Sequence, residues 1–159
     1  MTRPRLAALA VLLGLVGCSG SGAEGQAVPP AGALDSLQRP SSSNTALAAP
    51  EGFNPKPDIV TATYNLPAPT LFVAISQVAQ NMPRTFKLVA YEGRLEAAYV
   101  VRSRVFSFPD TIQFKIAAKG DGSTLVLYSA SRYGDSDFGV NRARVENWLA
   151  TLDTLLAGK

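Results

Sequence analysis

Two hydrophobic periods organise the second half of the chain. Apolar side chains recur at every second position from Ile59 to Leu66, with Val60, Ala62, Tyr64 and Leu66 on one face, which predicts a strand. Asn65-Leu66-Pro67-Ala68-Pro69 interrupts it, and the spacing then changes. Leu71, Phe72, Ile75, Val78, Ala79 and Met82 fall on one stripe at helical spacing, so a helix is predicted over Thr70 to Met82, ended by Pro83. Four further strands follow. Thr85 to Tyr91 and Arg94 to Val105 meet across the tight Glu92-Gly93 turn and read as a hairpin. Thr111 to Ala118 leads through Lys119-Gly120-Asp121-Gly122 into Thr124 to Arg132. The last helix is predicted over Asn141 to Ala157, with Val145, Trp148, Leu149, Leu152, Leu155 and Leu156 on its apolar face. Asn141 or Asp137 is its expected cap and Gly158 its stop.

The order strand, helix, four strands, helix predicts an α+β domain, an antiparallel sheet with both helices on one face. It looks like the helix-grip or TATA-binding-protein-like layout, where a long C-terminal helix lies across a curved sheet. Many helix-grip proteins hold apolar ligands between helix and sheet, so the resemblance implies a cavity there. Upstream, residues 18–50 are rich in Gly, Ala, Ser and Pro. Such a segment buries too little surface to offset its ordering entropy and reads as a flexible tether. Leu47 and Phe53 leave a second reading open, an extended arm docked on the domain. The single folded domain is expected over 51–159, enough chain for one modest core.

At the start, Arg3 and Arg5 precede an apolar run from Leu6 to Val16. That run is too short to cross a bilayer as a helix and suits the core of a signal peptide. With the closing Leu15-Val16-Gly17-Cys18, residues 1–17 and the cysteine resemble a bacterial lipoprotein signal with its lipobox. The resemblance implies cleavage before Cys18, after a diacylglycerol has been attached to the thiol. The partner so implied is the membrane, reached through acylated Cys18, and the location is the bacterial cell envelope. Two or three acyl chains make such attachment effectively permanent. Ser19, where an aspartate commonly signals retention at the inner membrane, points to the outer membrane, facing the periplasm.

Composition narrows the chemistry. The formal charge of +3 falls to +1 once Arg3 and Arg5 leave with the signal, so no basic nucleic-acid footprint remains. With Cys18 modified there is no thiol for catalysis or a disulfide. The absence of histidine removes the commonest general base and transition-metal ligand. No cofactor is called for: Gly134 and Gly139 are read as turn positions, without a strand-to-helix phosphate motif around them.

Two polar stretches remain, 101–110 and 129–144. The first contains Arg102-Ser103-Arg104 and ends Phe108-Pro109-Asp110. The second reads Ser129-Ala130-Ser131-Arg132-Tyr133-Gly134-Asp135-Ser136-Asp137-Phe138-Gly139-Val140-Asn141-Arg142. Both resemble the bacterial and plastid family called domain of unknown function 1499, with the likeness extending over about Arg39 to Leu155. Members often carry a second acid beside the first, where this chain has Thr111 after Asp110. Many also have Ser-Pro-Asn-Cys where this chain reads Ser42-Ser43-Asn44-Thr45, so no thiol role transfers.

Arg102 and Arg104, two apart on a predicted strand, share a face. Arg132 ends a later strand, and Arg142 and Arg144 sit in the first turn of the last helix, where cations oppose its dipole and call for nearby acids. Asp110, Asp135 and Asp137 are the candidates. The cluster of Arg102, Arg104, Asp110, Arg132, Asp135, Asp137, Asn141 and Arg142 has three readings. It is a structural network of Arg–carboxylate pairs, a site for an anion or head group, or an acid–base pair at Asp135 and Asp137. Metal binding would need oxygen ligands, and the spacing matches no calcium loop. No catalytic set is assigned. The expected function is a non-enzymatic binding or structural module at the membrane surface, its partner a lipid or an envelope protein. The alternatives are an enzyme using the Asp/Arg cluster and a protein-interaction module docking through Phe106 and Phe108.

Overall fold

The computed structural model describes residues 22–42, 44–104, 107–134 and 136–158. Cys18, Ser19, Phe106 and Asp135 lie outside them. The elements are β1 (Thr45–Ala49), β2 (Ile59–Val60), α1 (Ala68–Asn81), β3 (Thr85–Tyr91), β4 (Glu96–Arg102), β5 (Pro109–Lys119), β6 (Gly122–Ser131) and α2 (Val140–Ala157). They form one six-stranded sheet in the order β2-β1-β6-β5-β4-β3. Neighbours are antiparallel except β1 and β2, which run parallel through Ala48 opposite Ile59.

The α+β class and the helices follow the hydrophobic periods. Helix α1 opens at Pro67-Ala68-Pro69, where proline's fixed φ suits the first turn, and closes before Pro83. Its stripe of Leu71, Ala74, Ile75, Val78 and Ala79 is buried. Helix α2 buries Val145, Trp148 and Leu152. Both lie on one face of the sheet, against Ala97, Tyr99, Val101, Ile112, Phe114, Ile116, Leu125 and Leu127. This interface is filled: Trp148 packs edge-on to Tyr99, and Tyr99 stacks on Phe114. The ligand cavity implied between helix and sheet is occupied by these side chains.

The tether expected over 18–50 is corrected where the structure describes it. Thr45–Ala49 is a buried strand beside β6, and the docked-arm alternative holds for Leu47 and Phe53. Leu47, Ala49, Val126 and Tyr128 face away from the helices and are covered by Leu34, Leu37 and Phe53. Polar contacts fix the same segment: Tyr91 donates to the Pro29 carbonyl (2.9 Å), and Gly32 N–H donates to Glu96 (2.7 Å). Asp35 meets both Arg94 (2.7 Å) and Lys115. The Lys115 hydrogen bond, and then both positive charges, hold the Asp35 carboxyl below its ordinary value against the opposing effect of desolvation. The folded unit therefore begins before Glu51.

Two strand boundaries also move. The strand expected over Ile59 to Leu66 is regular only at Ile59–Val60, with a single further bridge from Tyr64 to Ser123. Strand β4 ends at Arg102, because Ser103 and Phe108 close the following loop with reciprocal 2.9 Å bonds, Ser103 N–H to the Phe108 carbonyl and Phe108 N–H to Ser103 Oγ.

Candidate functional site

The C-terminal ends of β4 and β6, the start of β5 and the first turn of α2 meet at one end of the sheet, since Arg102 pairs with Pro109 and Asp110 with Ser131. Asn141, wholly buried, is the hub there. Its Nδ2 donates to the Asn44 carbonyl (2.8 Å) and to Ser131 Oγ (2.9 Å), while its Oδ1 accepts from Ser129 Oγ (2.5 Å) and Arg144 (2.6 Å). Arg144 also donates to Ser129 Oγ (2.9 Å) and to Asp110 Oδ2 (2.5 Å). This buried network ties β1, β5, β6 and α2 together.

The predicted cluster thus divides. Asp110 and Asn141 belong to the network, but their basic partner is Arg144, not Arg142. Arg142 lies on the exposed side of α2 and pairs with Glu146 one turn on (2.9 Å). Asp137 serves as a cap: its two oxygens accept from the Gly139 and Asn141 amides (3.0 and 2.7 Å), satisfying N–H groups at the start of α2. Arg102 and Arg104 do not share a strand face, because Arg104 follows the end of β4. Arg102 donates to the carbonyls of Gly22 (2.9 Å) and Ser107 (3.3 Å), and Arg104 is exposed. Arg132 is exposed beyond the end of β6. Asp135 and Cys18 lie outside the described residues.

A second division separates the arginines by charge. Arg39, Arg94, Arg142 and Arg144 each contact a carboxylate. Among the described residues, Arg84, Arg102, Arg104 and Arg132 have no ion pair, and all four lie at this end of the sheet. Three of them, with Val101, Val140, Arg144 and Trp148, line an open groove of about 450 Å³ between the end of β4 and helix α2. Arg84 is exposed and donates to the Arg102 carbonyl (3.0 Å), which holds its side chain across the end of β4.

Exposed apolar side chains border the cations. The Phe108 and Tyr133 rings stand 6.5 Å apart, both largely exposed. Phe138 is 96% exposed, and Val140 half so. With Ser103, Asp110 and Asp137, three of them (Phe108, Tyr133 and Val140) border a smaller cleft of about 180 Å³. Arg84, Ser107 and Phe138 all hold φ between 53° and 54°. That left-handed conformation costs an L-residue roughly 1–2 kcal/mol and concentrates where a site imposes it.

The sequence pattern assigns no role to Arg84, Asn44, Ser129, Phe138 or Val140. Helical spacing did carry a signal for the hub, since Asn141 lies four residues before Val145 and Arg144 four before Trp148, both on the buried stripe. Nothing local marks Phe138 as exposed.

These features define an α+β domain with a filled helix–sheet core, a buried polar hub and a cationic, aromatic rim. The family model described as "Protein of unknown function (DUF1499)" matches residues 34–152, and the chain belongs to that family. The match starts at Leu34, within the segment that covers the outer face of the sheet. Among solved structures, the chain is similar to one titled "Crystal structure of Ara h 8.0201". That similarity has a TM-score of 0.46 and 12% identity, and covers 60% of this chain and 94% of the other. No curated protein sequence matches the chain. Among the described residues, no helix is long and apolar enough to cross a membrane.

Proposed function

We propose that the chain is a cell-envelope lipoprotein, acylated at Cys18 and held at the outer membrane facing the periplasm, whose domain is a non-enzymatic binding module for an anionic amphiphile. One observation carries the binding reading: of the four described arginines without an ion pair, three (Arg84, Arg102 and Arg104) line one groove, while Arg39, Arg94, Arg142 and Arg144 each contact a carboxylate. The head group would meet Arg84 and Arg104 in the groove, and the apolar part would lie along the exposed Pro83, Val140 and Ala143. Guanidinium groups left without carboxylates offer planar, charge-assisted donors to a phosphate or carboxylate. Because the helix–sheet core is filled, the ligand lies at the rim and not inside the domain.

Among the described residues, the engagement of Asp110 and Asp137 supports binding over acid–base catalysis. Asp137 spends both oxygens on backbone amides, and Asp110 is committed to Arg144. Neither lines the groove that holds Arg84, Arg102 and Arg104.

Two measurements test the reading. Growth with a clickable fatty acid should label the wild-type protein and leave Cys18→Ser unlabelled; an unlabelled wild type overturns the anchor. Titration of the full chain with short-chain phosphatidylglycerol should shift backbone amide resonances at Arg84, Arg104 and Val140 to Asn147. The same shifts with short-chain phosphatidylcholine, or none with either, overturn the anionic site.

A further inference from the structure

The first described residue after the cysteine is Gly22, and it is fixed to the rim. Its carbonyl accepts from Arg102 Nε at 2.9 Å, and its φ of 79° suits glycine alone. An added Cβ would lie 2.5 Å from the Phe86 ring, so the backbone is pressed against β3 at this point. Downstream, residues 29–35 are held to the outer face through Tyr91, Glu96 and Arg94. Gly22 therefore sits beside Arg102, and only three residues of sequence separate it from Cys18. Cys18 is four residues away, a span of at most about 14 Å even when fully extended.

We infer that the rim carrying Arg84, Arg102, Arg104 and Arg132 is the face the domain presents to an anionic bilayer, with Tyr133 and Phe138 at the headgroup level. The inference rests on acylation of Cys18 and adds an orientation to the proposed function. Three observations combine in it. The short leash from Gly22 brings this end of the sheet, and not the Lys119–Gly122 turn ten residues of strand away, next to the acyl chains. Four arginines without ion pairs complement negative headgroups. The exposed Tyr133 and Phe138 bring aromatic surface, of the kind enriched at membrane interfaces, to the same end. A ligand drawn from the leaflet would then reach the groove laterally, without crossing water.

The test uses the full acylated chain in vesicles, with an environment-sensitive dye on a cysteine introduced at Tyr133→Cys or, at the opposite end, Asp121→Cys. Acylation blocks Cys18, so the introduced thiol alone takes the dye, and intact mass confirms both modifications. In vesicles containing phosphatidylglycerol, the dye at 133 should shift to the blue and be quenched by bromine-labelled acyl chains, with the dye at 121 unchanged. Raising salt, or replacing phosphatidylglycerol with phosphatidylcholine, should weaken the effect at 133. Water-like emission at both positions in a fully acylated sample overturns the orientation while leaving the anchor intact. A dye response at 121 instead of 133 also overturns it. A protein without acyl mass and with a reactive Cys18 overturns the underlying reading.

Discussion

Arg144 and Asp110 meet at 2.5 Å with each side chain only about one-tenth exposed, joining helix α2 to the start of β5. Arg144 is further tied to Asn141 and Ser129, so its charge is both paired and hydrogen-bonded. Removing one member of such a buried pair strands the other, at a cost of about 3–5 kcal/mol. Asp110→Asn and Arg144→Met should each lower the urea midpoint accordingly. The double variant should cost less than the sum of the two, and strict additivity would show that the pair is not coupled.

Asn141 has four partners from three parts of the fold. Asn141→Leu keeps the branched shape at a larger size and leaves the Asn44 carbonyl, Ser131 and Arg144 short of a partner. Each stranded buried group costs on the order of 1–3 kcal/mol. Denaturant unfolding should show a loss of at least that size, whereas Arg142→Ala, at an exposed helix pair, should stay within about 0.5 kcal/mol of wild type.

Leu47 is fully buried at the centre of β1, between Asp58 and Tyr128 in the hydrogen-bonding pattern of the sheet. Leu47→Ala should cost about 2–5 kcal/mol by thermal or urea denaturation. A fragment starting at Glu51 loses β1 altogether and exposes the edge of β6. Its amide spectrum should lack the dispersion of the full chain. A well-dispersed spectrum from that fragment would contradict the role given to β1.

Burial, with Asp153 nearby as a second cause, pushes the Tyr64 hydroxyl up to about 12. The folded state then holds a proton that the unfolded state releases near the ordinary tyrosine value of about 10. Stability from this group is complete below about pH 10 and is lost as pH rises toward 12. Tyr64→Phe should flatten the decline in melting temperature over that interval, and phenolate absorbance of the wild type should rise late. An unchanged pH profile in the variant would count against Tyr64 as its source.

How legible the fold was depended on which physical pattern each element follows. Helices α1 and α2 and strand β5 carry clear periods because each has one buried face. Strand β1 is buried on both faces and reads Thr-Ala-Leu-Ala-Ala, so it has no alternation and shares its small residues with a linker. At the site, the acids and both helix arginines were legible, but which arginine meets Asp110 was not, because residues two apart in a helical turn point to different sides. Arg144 therefore faces the sheet, whereas Arg142 faces solvent. Likewise, Arg102 and Arg104 share a face only if the strand continues, and the loop closed by Ser103 and Phe108 ends it.

The central claim is that the unpaired arginines at the groove hold an anionic amphiphile. Native mass spectrometry of the full chain, released from envelope membranes in mild detergent, tests it most directly. A bound anionic lipid on the wild type should be lost from Arg84→Glu/Arg104→Glu and kept by Lys119→Glu, at the far end of the sheet. Equal retention by all three proteins, or a wild type that carries no lipid, would contradict the account.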